Sequence, residues 1–335
     1  MKDTQASVRG AAPVRMRSAA SWARGRGFTL IQLLVTLAVV GTLSGILLTA
    51  MSLARRSAIR GADTQVMGAI TTGMTAFSAT FDFAPPLVRD QHVSTPRTIV
   101  KTMVDSVEVS SIAVYTPASD GNFLRGSNLN ISMSNPLAVN DRRFSVNSLG
   151  VYLAGVMSAP RRSSVAEVPV DLVPGPGTGR PTLSGGFEKG RFGPFIDVGG
   201  RTLTVARNDD PDFPTVIVQD RNQVPVRYYR WLKNQSVTTW DDLNIPPMVI
   251  GPDYPKFHSS TSASQREQAD PRITGANWAC VMAGPNRVFG DEPIDVIVQA
   301  LRGYEGASVD ESMSEAALRA RAWADNLVEV GRAAN

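Results

Sequence analysis

The longest uncharged segment of the chain lies near its N-terminus and covers residues 28–54. It reads FTLIQLLVTLAVVGTLSGILLTAMSLA, with no Asp, Glu, Lys or Arg among its 27 residues. As a helix this segment would be about 40 Å long, which exceeds the ~30 Å hydrocarbon core of a bilayer. We therefore expect one transmembrane helix here, with the rest of the chain folding outside the lipid.

The residues that precede this run are polar and basic. Residues 1–27 carry a net charge of +5, whereas the whole chain carries +4, so residues 28–335 are close to neutral. This excess predicts an N-terminus in the cytoplasm, although Arg55, Arg56 and Arg60 on the far side act against it. A nucleic-acid-binding domain would itself be basic, and this chain's basic charge belongs to the leader.

The helix is predicted to continue past the apolar run. Apolar residues recur at steps of three, four or seven, which is typical of one buried helix face. They are Ile59, Val66, Ile70, Met74, Phe77 and Phe81. We expect residues 55–84 to form an amphipathic continuation that ends near Phe83, because Pro85 and Pro86 cannot continue a helix.

Residues 85–335 predict an α+β globular domain. Alternating apolar patterns favour strands over residues 98–103, 107–115, 144–156, 202–205, 215–219, 224–231 and 279–283. Residues 159–194 and 244–275 are interpreted as long irregular loops. A helix is expected over residues 313–324, capped by Ser312 with Glu315 three residues on. The single cysteine, Cys280, is expected to be a buried apolar residue.

A short motif marks the boundary between the basic leader and the apolar run. It is Gly27-Phe28-Thr29-Leu30-Ile31-Gln32-Leu33-Leu34-Val35. This motif resembles the cleavage and methylation site of type IV prepilins and type II secretion pseudopilins, in which a basic leader ends in Gly and Phe-Thr-Leu-aliphatic-Glu-Leu follows. The resemblance implies that a prepilin peptidase cuts between Gly27 and Phe28 and methylates the new amine of Phe28.

Gln32 is the one departure from the family motif, which has Glu at this place. The family's Glu pairs with the methylated amine of a neighbouring subunit, and Gln can form a hydrogen bond but cannot neutralise a charge. The departure favours a minor or tip subunit, which has no subunit above it to pair with. The alternative is that Gln suffices at this place.

The resemblance also implies an architecture and a role. The fold would be pilin-like, with the second half of the helix on an antiparallel sheet, long loops and a C-terminal helical insertion. The protein would be a non-enzymatic structural subunit of a type II secretion pseudopilus or a type IV pilus. It would sit in the bacterial inner membrane with its C-terminal domain in the periplasm. Its partners would be the prepilin peptidase, other pilin or pseudopilin subunits and the inner-membrane assembly platform.

Weaker resemblances lie downstream. Residues 220–228 are similar to a conserved hairpin of pseudopilin-like domains, residues 283–290 to the loop before their last strand, and residues 325–331 to that strand. In some of these proteins the loop binds calcium, which prefers six to eight oxygen ligands. The corresponding candidate ligands here are Asn286, Asp291, Asp295 and Asp325. A solvated acidic turn is the alternative, and no other cofactor is expected.

Three alternative functions remain at this point. A cleavable signal peptide or simple signal anchor could carry a periplasmic binding module, with residues 52–54 as a cleavage site, although the apolar run is nearly twice the usual length. A DNA-uptake minor pilin would need a basic aromatic patch, and one such cluster exists. It comprises Arg221, Arg227, Tyr228, Tyr229, Arg230, Trp231 and Lys233. An enzyme is not indicated, because no nucleophile-elbow, zinc-protease or P-loop motif is found.

Overall fold

The computed structural model gives an α+β protein with a long N-terminal helix and antiparallel sheets. It describes residues 29–90, 99–104, 107–154, 177–183, 187–192, 194–197, 204–208, 215–257, 271–305, 309 and 312–332. The chain divides into two compact units, Met1–Leu53 and Ala54–Asn335. The predicted α+β class is confirmed.

Seven helices and twelve strands are assigned in these residues. The helices are α1 Leu30–Phe81, α2 Pro117–Leu124, α3 Ser148–Leu153, α4 Pro247–Ile250, α5 Pro271–Gly275, α6 Ile294–Glu305 and α7 Glu315–Trp323. The strands are β1 Leu87–Val88, β2 Ile99–Val104, β3 Val107–Ile112, β4 Val114–Tyr115, β5 Phe144–Ser145, β6 Gly177–Pro181, β7 Phe187–Phe192, β8 Thr204–Asn208, β9 Thr215–Gln219, β10 Arg227–Arg230, β11 Trp278–Met282 and β12 Leu327–Gly331. Short 3-10 turns lie at Pro136–Ala138, Asp241–Leu243, Gly251–Phe257 and Gly284–Asn286.

Helix α1 spans 52 residues and ends two residues earlier than predicted. Asp82 adopts a left-handed conformation with φ of 65°, and its N–H donates to the carbonyl of Ser78 over 2.9 Å. This geometry closes the last turn of the helix. Pro85 and Pro86 follow and prevent any continuation, as the sequence predicted.

The amphipathic part of α1 contributes one face to the core of the second unit. The predicted stripe is confirmed: Val66, Ile70, Met74, Phe77 and Phe81 are buried, and Ile59 is half-buried. Phe77 is fully buried. Its ring lies 4.7 Å from that of Phe81 and 5.9 Å from that of Tyr152, measured between centroids.

A four-stranded antiparallel sheet in the order β12-β11-β10-β5 lies at the centre of the second unit. Its side chains alternate between two buried faces. Tyr228 and Cys280 belong to the cluster that contains the α1 stripe, and Tyr229 and Val281 belong to a second cluster. Cys280 is fully buried, which confirms the prediction for it, and burial raises the pKa of its thiol.

The prediction of a strand over residues 144–156 is wrong for most of its length. Only β5 is extended, and α3 follows it. The Ser145 hydroxyl accepts from the N–H groups of Asn147 and Ser148, while the Asp90 carboxylate accepts from the Val146 N–H and the Asn147 amide. These bonds turn the chain into α3, and Asp90 lies more than fifty residues away, so a local pattern does not reveal it.

The two predicted long loops contain regular structure. Strands β6 and β7 pair within 159–194, and the pairing register shifts between Gly177 and Gly179, as is common where glycines interrupt a strand. Residues 159–176, 184–186 and 193 of this loop lie outside the described residues. In 244–275, helices α4 and α5 form, and apolar side chains cover the second face of the sheet. They include Ile245, Met248, Val249, Ile250 and Tyr254.

The C-terminal region holds two helices where one was predicted. Helices α6 and α7 pack together through Ile297, Leu301 and Leu318. The hydroxyl that caps α7 belongs to Ser314, which accepts from the Ala317 N–H, so the predicted Ser312 cap is wrong. The final strand predicted over residues 325–331 is present as β12, paired with β11.

Truncation of the central aromatic residue of the stripe tests this packing. The Phe77→Ala variant should lower the free energy of unfolding by about 3–5 kcal/mol, because a large cavity would remain at a fully buried site. Urea unfolding of the full chain in detergent micelles, followed by circular dichroism, measures the change. Val237→Ala is the control: Val237 is 49% exposed, so its loss should change stability by no more than about 0.5 kcal/mol. Equal effects of the two variants would contradict this account of the core.

Candidate functional site

The first unit presents an unusually apolar helix surface. Helix α1 is long and apolar enough to cross a membrane, and no residue in its apolar stretch of 18 residues is buried. By length and composition it fits a membrane span or a signal anchor. The exposed large apolar residues are Leu30, Ile31, Leu33, Leu34, Val35, Leu37, Val39, Val40, Leu43, Ile46, Leu47, Leu48 and Met51. Exposed apolar surfaces of this extent are typical of sites that contact a membrane or another protein.

Four hydroxyl groups within this apolar segment donate to carbonyl groups of the helix itself. Thr36 donates to the carbonyl of Leu33 over 2.8 Å, and Thr49 donates to that of Gly45 over 3.0 Å. Thr42 and Ser52 form equivalent bonds. A polar group in hydrocarbon is costly when it has no partner, so these bonds make the segment compatible with lipid.

The two glycines of the apolar segment leave open surface. A Cβ atom placed on Gly41 or on Gly45 would meet nothing within 4 Å. Their one-turn spacing puts them on the same side of α1, where another helix can approach closely.

The predicted cleavage site, Gly27 and Phe28, lies outside the described residues, as does the leader before it. The position that departs from the family motif is described. The backbone N–H of Thr29 donates to Oε1 of Gln32 over 3.2 Å. In return, the Gln32 N–H donates to Oγ1 of Thr29 over 3.3 Å.

This reciprocal pair is a capping box at the start of α1. Thr29 occupies the cap position and Gln32 the third helical position, where Gln or Glu reaches back to the N–H of the capping residue. Two backbone groups that the helix cannot pair are thereby satisfied. Gln32 therefore has a local structural role that requires no neighbouring subunit. A Glu would provide the same hydrogen bond together with a negative charge.

Asn286, one of the four predicted metal ligands, already has partners within the protein. The amide of Asn286 donates to the Ala322 carbonyl over 2.5 Å, and its oxygen accepts from the Val288 N–H over 3.1 Å. Asn286 thus ties the 3-10 turn to α7. Asp325 lies beside this turn, because its carbonyl would be 2.4 Å from a Cβ atom on Gly284. Asp295 lies in the first turn of α6.

Asp291 forms an ion pair with Arg227 of the same chain. Its carboxylate accepts from the guanidinium of Arg227 over 2.6 Å, and Glu292 lies 3.4 Å from the same group. The guanidinium also lies over two aromatic rings, with its central carbon 4.5 Å from the centroid of Phe144 and 3.7 Å from that of Phe289. This arrangement fixes the segment before α6 against β10.

A calcium site receives no geometric support from these contacts. Among the residues that the structure describes, no group of three or more His, Cys, Asp or Glu side chains is placed to hold a metal ion. The prediction of calcium binding by Asn286, Asp291, Asp295 and Asp325 therefore stays a prediction.

The basic aromatic cluster on and around β10 is largely part of the core. Tyr228, Tyr229 and Trp231 are fully buried, and Arg230 is 7% exposed. Arg230 donates to the carbonyls of Ala84 and Pro85, just beyond the end of α1. These side chains hold the domain together and do not form a surface patch. Strand alternation places Tyr228 and Tyr229 on opposite faces of β10, and both faces are buried.

Comparisons of the chain with protein-family models, with curated proteins and with solved structures find no match.

Sequence reasoning did not single out Asp63, which is buried, or Asp90, which is half-buried. Asp90 is recognisable only through its distant hydrogen bonds to the β5–α3 turn. Asp63 could have been found, because it lies four residues after Ile59 and three before Val66, and so falls on the apolar stripe of α1. A charged residue on a buried helix face is uncommon and indicates a specific role.

The capping box can be tested at Gln32. Gln32→Ala should remove the partner of the Thr29 N–H and reduce its protection from hydrogen exchange about fivefold, which corresponds to about 1 kcal/mol for a lost cap. Gln32→Glu should preserve the protection, because Glu can accept the same bond. Amide exchange of the full chain in micelles, measured by NMR, distinguishes the variants. Unchanged protection in Gln32→Ala would contradict the capping role.

Proposed function

We propose that this chain is a structural subunit of a type II secretion pseudopilus or a type IV pilus. It is made as a precursor, and a prepilin peptidase cuts it between Gly27 and Phe28 and methylates the new N-terminus. The apolar half of α1 holds the subunit in the inner membrane and then packs against other subunits as the assembly platform builds a fibre. The domain after α1 stands in the periplasm.

The observation that carries this proposal is the single helix of 52 residues, whose two halves differ in their surroundings. Its first half is uncharged and exposes its apolar side chains, with the hydroxyls of Thr36 and Thr49 satisfied within the helix. Its second half buries an apolar stripe in the α+β domain. A fibre subunit needs both properties, and the motif that begins at Gly27 continues into the first turns of this helix.

Within this proposal, the chain is a minor or tip subunit. Gln32 keeps the capping bond but lacks the charge that the family's Glu offers to the amine of a neighbouring subunit. A subunit at the end of a fibre has no neighbour above it to pair with, so it tolerates the loss better than a repeating subunit does. We assign it no catalytic activity and no nucleic-acid ligand.

The mature N-terminus tests the proposal. Co-expression of the full chain with a prepilin peptidase should yield a product that begins at methylated Phe28, seen by intact-mass and N-terminal analysis. A large side chain in Gly27→Leu should block cleavage and leave the precursor, whereas Gly10→Leu in the leader should be processed normally. A product that begins at Arg55 would instead indicate a signal peptide. An uncut chain would indicate a simple signal anchor.

The subunit's place in a fibre tests the minor-subunit proposal. A label on exposed Val237, in fibres isolated from the producing cells, should occur at low copy number and at one end. High-copy labelling along the fibre would contradict the tip assignment and leave the subunit proposal intact. The same count for the Gln32→Glu variant shows whether the charge at this position controls placement.

A further inference from the structure

A cavity of about 230 Å³ lies in the Ala54–Asn335 unit, between the loop that follows α2 and the segment that follows β10. Part of its wall is aliphatic and consists of Leu129, Ile131, Met133 and Ile245. Pockets for drug-sized molecules measure ~300–1,000 Å³, so this cavity suits a smaller ligand. The aliphatic wall favours a ligand with a short hydrocarbon portion.

A buried guanidinium holds the wall of the cavity together. Arg143 is 2% exposed, and it forms an ion pair with Asp141 over 2.7 Å. Its Nη1 donates to the carbonyls of Leu124 and Asn244, over 3.4 and 2.6 Å. Gly126 has φ of 65° and lies against the same guanidinium, because a Cβ atom there would be 2.9 Å from its central carbon. Asp141 compensates the charge of Arg143, so the role of this guanidinium is structural.

A second guanidinium in the wall lacks a partner. Arg125 follows directly after α2, and its backbone N–H donates to the Gly121 carbonyl over 3.0 Å. Its side chain is half-buried and lines the cavity. With the residues that the structure describes, this side chain forms no hydrogen bond or ion pair. A carboxylate is the partner whose charge and geometry a guanidinium matches best.

A tyrosine hydroxyl supplies another donor without a partner. Tyr254 is 6% exposed and lines the same cavity, and its hydroxyl forms no hydrogen bond with any residue in the described ranges. Polar groups of buried residues are generally hydrogen-bonded, so an occupant of the cavity is expected to complete this bonding. Burial and the negative charge of Asp241 raise the pKa of Tyr254 to about 12, and Arg143 opposes the rise. The hydroxyl is therefore protonated at neutral pH and can donate to an anion.

The acidic residue of the wall, Asp241, acts against an anionic ligand. It begins the 3-10 turn Asp241–Leu243 and has an interaction of its own within the chain. Its carboxylate repels an anion and attracts a cation, so it should lower the affinity for a carboxylate. The sign of the Asp241 contribution therefore distinguishes an anionic ligand from a cationic or zwitterionic one.

We propose that this cavity binds a small aliphatic carboxylate, whose oxygens accept from the Arg125 guanidinium and the Tyr254 hydroxyl. Its hydrocarbon portion packs on the aliphatic part of the wall. The carboxylate belongs to a free short-chain acid or to the C-terminal residue of a polypeptide. The site does not depend on the function proposed above, because every residue of its wall lies in the Ala54–Asn335 unit.

The experiment is an NMR titration of the full chain in nonionic detergent micelles, with ¹³C-labelled methionine methyl groups and isovalerate as the probe. The Met133 signal, assigned from the spectrum of Met133→Leu, should shift saturably as isovalerate is added. Met51 is 62% exposed in the apolar segment of α1, so its signal reports on the micelle and should not shift. Isovaleramide has the same shape without the negative charge, and it should bind at least about tenfold more weakly.

The source of the carboxylate is tested with N-acetyl-leucine. It carries the same branched chain as isovalerate and imitates the C-terminal residue of a polypeptide. Tighter binding of N-acetyl-leucine assigns the cavity to a polypeptide C-terminus, whereas tighter binding of isovalerate assigns it to a free acid. Both orders support recognition of a carboxylate.

Variants test the two donors and the acidic residue. Arg125→Gln should weaken isovalerate binding by about tenfold or more, and Arg125→Lys should retain part of the affinity because it keeps the charge. Tyr254→Phe should weaken binding by about three- to tenfold without lowering the Tm of the ligand-free chain. Asp241→Asn should tighten binding by about two- to fivefold. Arg60→Gln changes an exposed arginine of α1 and is the matched control, which should bind isovalerate like the unmodified chain.

Four results would overturn the proposal. The first is the absence of a saturable Met133 shift with both isovalerate and N-acetyl-leucine. The second is equal binding of isovalerate and isovaleramide, which is measured on the unmodified chain and so does not depend on the folding of a variant. The third is unchanged affinity in Arg125→Gln. The fourth is weaker binding in Asp241→Asn, because the cavity would then select a positively charged group.

Discussion

The burial of one helix stripe in the main core is the interaction on which the rest of this structure depends. Ile70, Met74 and Phe77 of α1 are fully buried, and they share a cluster with Tyr152 of α3 and Tyr228 of β10. Elements distant in sequence therefore meet on a single helix face. The stripe lies in the same helix as the apolar N-terminal segment. The sequence of α1 therefore has to suit two environments: its first half exposes apolar side chains, and its second half buries one face in the core of the domain.

The two environments explain the composition of α1. Apart from Gln32 in the first turn, the first half has apolar residues on every side and only small hydroxyl side chains such as Thr36 and Thr49, which bond to the helix itself. The second half restricts its large apolar residues to one face, and its solvent side carries polar residues such as Thr64 and Thr72. Asp63 is the exception to this division, since it is a carboxylate on the apolar face.

Much of α1 and the central strands could be predicted from the sequence, because both depend on regular periodicity over short distances. The start of α3 could not, because the deciding carboxylate belongs to Asp90, far away in the chain. Helix α6 was not predicted. The ion pair between Arg227 and Asp291 could not be predicted from a local pattern, because the two residues are more than sixty positions apart in the sequence. At the candidate site, the motif indicated the position of Gln32, but its bond with Thr29 required coordinates.

The central sheet has a core on each side, and neighbouring residues of one strand belong to different cores. Tyr228 packs with the α1 stripe, whereas Tyr229 packs with the residues that follow Asn244. The two clusters pack on opposite faces of the same strands. Disorder in one cluster would therefore expose one face of the strands on which the other cluster packs. We therefore expect the second unit to unfold in one cooperative step that disrupts both clusters together.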